Sequence, residues 1–491
     1  MTLESMGLWA LLLYLVGLVA VAEIARRARR DNSPQDHFLA GRDLGVFVLF
    51  LTLYATGYSG NSLLGYPGEA YRRGFSWVMS VGFMLSIIIC FHIVVPRLRP
   101  IAVREHFVSP ADWIRHRFGG ERWGKVLRLA VSLLMAIALA NFLFAQMKAM
   151  GELAEVVTGG AIPYALGVLG LAAMILFYEN LGGMRAVAWT DTAQGLLMLV
   201  GLMALLAWVL GTAGGLDGLT ARVMTLRPEA VQVPDRIEQT NWFSSIILLG
   251  LASVVYPQAI QRVFAARSAR DLRGSMALMS FMPFATTAVV FLIGIAAIPR
   301  FTDLGVAEAD LVMPRLLGEW AQSGPLALAA ALLVFVGALA AIMSTADSIL
   351  LSLSSICAKD FLAKQRSSAD ETRLGKRIAI AVMIAMAILT QFREISLWRL
   401  IELKMELLVQ CAPVYMISLH WRGLRAGPCV AGILVGAAIA VYALVVGETR
   451  IEGFHVGVLA MFVNSLIAVG GSLLISGEPA QSSPSSTPSP P

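Results

Sequence analysis

Polar residues interrupt an otherwise apolar stretch between 337 and 361. They are Ser344, Thr345, Asp347, Ser348, Ser352, Ser354 and Ser355. On a helix, most of the hydroxyls fall in one stripe about 100° wide, and Asp347 lies at its edge. Hydroxyl and carboxylate oxygens are the ligands that a hard cation such as Na⁺ prefers. A packing face with hydroxyls bonded back to the helix is the alternative, but a carboxylate within a membrane is costly and usually functional.

Two other apolar segments contain helix-breaking residues. The stretch "LTLYATGYSGNSLLGYPGEAY" (51–71) includes several glycines and Pro67, and "LLGLASVVYPQAIQRVFAA" (248–266) has Pro257 in its middle. Proline removes a backbone donor and kinks a helix, and carbonyls freed at membrane depth are tolerated where they line a cavity. One such break could be repaired by a neighbouring Ser or Thr, whereas two breaks at matching places predict a shared binding site.

The positions of the breaks match within a repeat. We identify thirteen apolar segments long enough to span a membrane: 5–25, 44–70, 76–96, 124–152, 161–178, 188–211, 242–264, 275–297, 322–357, 376–393, 397–418, 426–446 and 454–475. Five segments cover 44–211 and five cover 242–418, and each set begins with a broken helix. Because five is odd, the second set runs in the opposite sense. This inverted repeat is typical of secondary transporters, whose sites form between the broken helices.

The composition indicates an integral membrane protein. Hydrophobic residues make up 57% of the chain, charged residues 14%, and the mean hydropathy is +0.73, whereas soluble domains carry about 25% charged residues. With an outside N-terminus, loops predicted to be cytoplasmic carry 26 of the 38 Lys and Arg residues and outside loops carry 10, which follows the positive-inside rule. The C-terminus is then cytoplasmic. The net charge of +6 is explained by anionic lipid, so no nucleic-acid partner is expected.

Two features of the chain imply no further domain or metal centre. The four cysteines have neither disulfide nor zinc spacing. The Pro/Ser-rich stretch 476–491 is predicted to be a disordered tail.

Four stretches together resemble the sodium:solute symporter family, which includes proline, pantothenate and sugar or sialic acid transporters. The strongest are "YENLGGMRAVAWTDTAQ" (178–194) and "AAIMSTADSILLSLSSICAKDF" (340–361), and "GYPGEAYRRG" (65–74) and "QRVFAARSARDLR" (261–273) support them. The resemblance implies an all-α, leucine-transporter-like fold with five-plus-five inverted repeats. It would form one transmembrane domain over 1–475, with one extra helix at the N-terminus and two at the C-terminus.

The resemblance also implies where sodium binds. The site common to the family would use the carbonyls of Ala55, Tyr58 and Ala341 and the hydroxyls of Ser344 and Thr345. A second site, present in some members, would use Asp191, Ser344, Asp347 and Ser348. Certain members have a hydroxyl at the position of Asp347, which leaves open whether one or two ions move per cycle.

The solute is expected beside the first break, near Ser59, Asn61 and Ser62, and opposite Tyr256 and Gln258. The segment 397–418 would form a further wall and carries Glu402, Lys404 and Glu406. Ionised groups in a membrane must pair or line water. Lys404 could therefore meet a substrate carboxylate or belong to a structural ion pair, and the sequence leaves both possibilities open.

These patterns predict a sodium-coupled secondary symporter that imports a small polar organic solute by alternating access across the cell (inner) membrane. Na⁺ would be the coupling ion, and no other cofactor is expected. A sensor that keeps the transporter fold and signals through a separate partner is the competing hypothesis. An enzyme is not expected, because the sequence contains no HExxH, GxSxG or P-loop motif.

Overall fold

The computed structural model describes residues 3–27, 34–301, 304–306, 308–361, 368–391 and 397–475, without the side chains of 3–5, 22, 25, 26, 34, 35, 178–183 and 368–372. The predicted tail, 476–491, lies outside these residues. The described chain is almost entirely helical, and its α-helices are α1 (Leu3–Arg27), α2 (Pro34–Leu39), α3 (Val46–Gly57), α4 (Tyr66–Arg73), α5 (Met79–Arg104), α6 (Ala111–Phe118), α7 (Gly124–Val157), α8 (Tyr164–Ala213), α9 (Gly215–Leu226), α10 (Arg236–Ser253), α11 (Pro257–Ala265), α12 (Ala269–Met279), α13 (Val289–Ala297), α14 (Val312–Ala321), α15 (Pro325–Ile356), α16 (Ser368–Leu389), α17 (Leu397–Leu408), α18 (Ala412–His420), α19 (Ala426–Val446) and α20 (Val456–Leu474).

One small β-ribbon precedes the last helix, although the sequence predicted an all-α chain. Strands β1 (Arg450–Ile451) and β2 (Phe454–His455) are antiparallel, with Arg450 opposite His455. The positive φ of Gly453, 84°, closes the turn between them, a conformation that glycine adopts without strain.

Most predicted segments coincide with helices. The extra helices predicted at 5–25, 426–446 and 454–475 correspond to α1, α19 and α20. Seven stretches of the described chain are apolar and long enough to cross a membrane, or eight if the bent pair α10 and α11 forms one span. The figure of thirteen spans remains a prediction.

One predicted loop is wrong. The sequence analysis placed a cytoplasmic loop at 179–187, between the segments 161–178 and 188–211, but the backbone is helical throughout and both segments belong to α8. The sequence contains glycines at 182 and 183, and a glycine inside a helix costs only about 1 kcal/mol relative to alanine.

Both predicted breaks are confirmed. Helix α3 ends at Gly57, Tyr58 adopts an extended conformation with φ −107° and ψ 90°, and residues Asn61–Gly65 are π-helical before α4 begins. Helices α10 and α11 are separated by three residues and bent by 50°. Helix α11 begins with Pro257, whose missing N–H is not needed at that position.

Helix α15 lies at the centre of the molecule. It packs against α7 and α8 and also contacts α1, α3 and α11, and every residue from Gly337 to Ile356 is buried. Because these residues are buried, the hydroxyl stripe of α15 faces other protein elements and not lipid.

Close helix contacts at glycine fix the position of α4, the helix after the first break. A Cβ atom added to Gly294 of α13 would lie 2.5 Å from the carbonyl oxygen of Pro67 and 2.6 Å from the Cβ of Ala70. Small residues let membrane helices approach to such distances.

We expect Gly294→Ala to lower the free energy of unfolding by about 1–3 kcal/mol, the usual cost of overpacking a core. Gly170→Ala in α8 is the matched control, because a Cβ at that position meets nothing within 4 Å. Thermal unfolding in detergent measures both variants. Equal unfolding temperatures for the two would contradict the tight α4–α13 contact.

Candidate sodium and solute sites

The first break leaves backbone oxygens outside the helical hydrogen-bond ladder. The N–H of Ser62 donates to Ser59 O at 2.9 Å instead of to Tyr58 O, which lies four residues before it. Gln146 of α7 holds the break in place by accepting a hydrogen bond from the N–H of Gly60 at 3.0 Å. The side chain of Gln146 therefore satisfies a backbone N–H group at the break.

The hydroxyl stripe of α15 meets this break. Thr345 Oγ1 donates to Ala55 O at 3.2 Å and to Ala341 O at 3.0 Å, so three of the five groups expected at the first sodium site lie within hydrogen-bond distance. Ser344 is the next residue, and both hydroxyl residues are fully buried. Tyr58 is the extended residue that directly follows α3 at the same break.

A buried carboxylate joins the stripe to two further helices. Asp191 of α8 is 0% exposed. Its Oδ1 accepts a hydrogen bond from Ser344, and its Oδ2 accepts one from Thr52 of α3 and one from Arg262 of α11 at 2.9 Å. One carboxylate thus connects α3, α8, α11 and α15.

Arg262 is the residue that the sequence analysis missed, because its charge was assigned to a cytoplasmic loop. Its side chain is 0% exposed and forms a salt bridge with Asp191. It also donates to Ser348 Oγ and to both oxygens of Thr52. Asp191 could have indicated such a partner, because a charged residue in an apolar segment is normally paired with an opposite charge.

The structure brings together three of the four residues expected at the second sodium site. Asp191, Ser344 and Ser348 form one hydrogen-bonded group around Arg262. Asp347 is also fully buried and lies within electrostatic range of Tyr14 on α1. Farther along the stripe, Ser352 donates to Gln261 of α11 at 2.6 Å.

A cavity of about 120 Å³ lies between the two breaks. Ser59, Asn61, Ser62, Tyr256 and Lys404, which the sequence predicted as solute ligands, line it. Gln258 is fully buried but does not line the cavity. Most of the remaining wall is apolar or aromatic, with contributions from α5, α7, α12 and α17.

Two polar groups on the cavity wall are notable for their contacts. Neither Oδ1 nor Nδ2 of Asn61, which is 1% exposed, has a hydrogen-bond partner in the described part of the chain. The ammonium of Lys404, which is 3% exposed, lies 3.0 Å from the ring centroid of Phe142 and 5.2 Å from that of Tyr256. Both residues line the cavity.

The carboxylates near Lys404 have other partners. Glu402 accepts from Trp398 Nε1 at 2.9 Å and forms salt bridges with Arg399 and Arg450. Glu406 contacts His455 Nδ1 at 2.7 Å and accepts from the N–H of Gly457. Within the described residues Lys404 forms no salt bridge.

A sequence profile of the sodium:solute symporter family matches residues 37–436. The chain belongs to this family. It is 27% identical to the sodium/pantothenate symporter of Escherichia coli strain K12 over 94% of this chain and 95% of that protein. It is 25% identical to the high-affinity proline transporter PutP of Bacillus subtilis strain 168 over 92% of this chain and 96% of that protein.

Solved structures of transporters share the fold of this symporter. A Na⁺-coupled sialic acid symporter in a substrate-bound outward-open state superimposes with a TM-score of 0.78 at 18% identity, covering 96% of this chain and 98% of that chain. MhsT in complex with L-phenylalanine superimposes with a TM-score of 0.54 at 12% identity, covering 87% and 97%. The predicted leucine-transporter-like fold is confirmed.

These comparisons confirm the predicted activity. The protein is a multi-pass membrane symporter that couples solute import to Na⁺. It is not an enzyme, because the family and the relatives are transporters. They do not support the sensor hypothesis.

Proposed function

We propose that the solute of this symporter carries a carboxylate and that Lys404 binds it. The observation that carries the proposal is the buried ammonium of Lys404 beside the cavity, with aromatic rings as its described neighbours. Removing a charge from water costs several kcal/mol unless an opposite charge compensates it. A solute carboxylate would supply that compensation. Relatives of this chain are named for pantothenate and for proline, and both compounds contain a carboxylate.

The rest of the cavity is suited to a solute with an apolar body and a few polar groups. Aromatic and aliphatic side chains such as Phe142, Ile401 and Met405 would contact the body. The amide of Asn61 and the hydroxyls of Ser59 and Ser62 would hydrogen-bond to polar groups, which fix orientation in a mostly apolar site.

Analogues without the carboxylate test its role. We expect proteoliposomes to take up radiolabelled pantothenate or proline, or unfolding of the purified protein to shift with one of them. Panthenol and prolinamide, which lack the carboxylate, should have no effect. Lys404→Gln should weaken the response at least tenfold, since a hydrogen bond to a charged group contributes about 1.5–3 kcal/mol.

Lys125→Gln is the matched control, because it removes the same charge from an exposed position on α7. Lys404→Arg, which keeps the charge, should retain part of the response. Equal responses to the acid and to its carboxylate-free analogue would disprove the proposal, as would full activity of Lys404→Gln.

We also propose that the coupling sodium ion binds at the junction of the first break and α15. Its ligands would be the carbonyls of Ala55, Tyr58 and Ala341 and the hydroxyls of Ser344 and Thr345. The contacts of Thr345 with Ala55 O and Ala341 O support this assignment, and the five oxygens suit a hard cation.

We expect Thr345→Val, which keeps the shape of the side chain and removes one oxygen ligand, to raise the sodium concentration for half-maximal binding about tenfold or more. Ser354→Ala is the matched control on the same helix, because Ser354 Oγ donates to Leu351 O and lies outside the stripe. Binding of radiolabelled sodium to the purified protein measures the effect. An unchanged sodium titration in folded Thr345→Val would exclude Thr345 as a ligand.

We further propose that the protein lies in the cell membrane with its N-terminus outside and its C-terminus in the cytoplasm, as the distribution of Lys and Arg indicates. In a cysteine-free background, Arg236→Cys should react with an impermeant thiol reagent from outside, and Arg104→Cys only from the cytoplasmic side. Both side chains are exposed. Labelling of both from the same side would exclude this orientation.

A further inference from the structure

A further cavity, of about 360 Å³, lies between helices α5 and α12. It is located where the predicted span 76–96 ends and the predicted span 275–297 begins, which places it at a membrane boundary. Its wall combines basic and apolar side chains, among them His92, Arg99, Arg273, Val95, Leu272 and Met276. We call this cavity the α5–α12 groove.

The two arginines of the groove have donors that no described carboxylate uses. Arg99 Nη2 donates to Ala266 O at 3.0 Å, whereas Nε is buried and has no hydrogen-bond partner among the described residues. Arg273 is exposed, and within the described chain it forms neither a hydrogen bond nor a salt bridge. Both guanidinium groups can therefore bind an anion.

Positive charge exceeds negative charge around the groove in the described part of the chain. Arg42 lies within electrostatic range of Arg99 and donates only to backbone carbonyl oxygens. Asp271 is also within range of Arg99, but it forms a salt bridge with Arg267 at 3.3 Å and accepts a hydrogen bond from Ser268 Oγ. An anion in the groove would thus be attracted by charges that the protein itself leaves uncompensated.

Apolar surface adjoins this positive charge. Val95, Leu272 and Met276 form the apolar part of the wall. Ile89 and Phe281, which lie roughly two helical turns further into the predicted spans, are exposed. A basic pocket between transmembrane helices, with apolar surface beside it, matches the charged headgroup and the acyl chains of a phospholipid.

We propose that the α5–α12 groove binds an anionic phospholipid, with its phosphate at Arg99 and Arg273 and its acyl chains along the apolar surface of α5 and α12. A free phosphate ion would satisfy the arginines but would leave the apolar wall uncovered. Met276 lines both this groove and the solute cavity, so the bound lipid would contact a side chain that also borders the solute.

Lipid titrations of the full chain in detergent test the proposal. Native mass spectrometry should show phosphatidylglycerol, which is anionic, binding the wild type at lower concentrations than phosphatidylcholine with the same acyl chains. Arg273→Gln should weaken the binding of phosphatidylglycerol about fivefold, because a basic residue contributes about this factor toward an anionic lipid. Combined with Arg99→Gln, the loss should reach about 25-fold.

Arg97→Gln combined with Arg270→Gln is the matched control, because it removes two charges from exposed positions on the same helices outside the groove. This variant should bind phosphatidylglycerol like the wild type. If the variant at Arg99 does not fold, Arg273→Gln alone decides. Equal binding of the two lipids by the wild type would overturn the proposal, as would unchanged binding by Arg273→Gln or an equal loss in the control.

Glycerol 3-phosphate distinguishes a lipid from a soluble anion. The unfolding temperature of the wild type should rise with phosphatidylglycerol but not with the same concentration of glycerol 3-phosphate, and an equal rise with both would overturn the lipid assignment. The leaflet depends on the proposed orientation, whereas the lipid does not. Reversed labelling of Arg104→Cys and Arg236→Cys would move the groove to the outer leaflet and leave these titrations unchanged, so the two proposals can fail separately.

Discussion

A carboxylate buried at the junction of four helices is the constraint on which the rest of the site depends. Asp191 is fully buried, and leaving a buried charge unpaired after removing its partner costs about 3–5 kcal/mol. Its partners come from α3, α11 and α15, so each of these helices must stay close to α8. Two of them, α3 and α11, border the breaks. The electrostatic requirement of one side chain thus sets the distance between the two broken helices.

The breaks are stable because other groups take over the hydrogen bonds that the helices give up. Gln146 accepts from the N–H of Gly60 at the first break, and at the second break the N–H groups of Val255 and Tyr256 donate to Ala252 O and Ser253 O, three residues before them. A backbone group left unsatisfied in the membrane would cost several kcal/mol. Helix α15 supplies hydroxyls to the same region, and its central position explains why a helix that needs an apolar surface can carry a polar stripe.

The sequence predicted local features well and tertiary pairing poorly. Helix α19 has the predicted bounds, and both breaks lie where glycine and proline indicated, because these residues act through the backbone of their own segment. The continuous helix through 179–187 was missed because the apolar segments were divided by the length that a membrane span requires. Arg262 was missed because a count of charges does not reveal its partner, which is 71 residues away in the chain. The sequence left the partner of Lys404 open, because it does not show that Glu402 and Glu406 contact other residues.

The first break would let one segment of the chain bind both the sodium ion and the organic solute. Ala55 and Tyr58 would offer carbonyls to sodium, and Ser59, Asn61 and Ser62 lie on the cavity wall directly after them. A shift of this segment on sodium binding would change the solute ligands, and by linkage the solute would change sodium affinity by the same factor. The charge of the solute would decide the charge that the loaded site carries. With Arg262 compensating Asp191, one sodium ion and a monoanion such as pantothenate would add no net charge, whereas a zwitterion such as proline would leave one positive charge added.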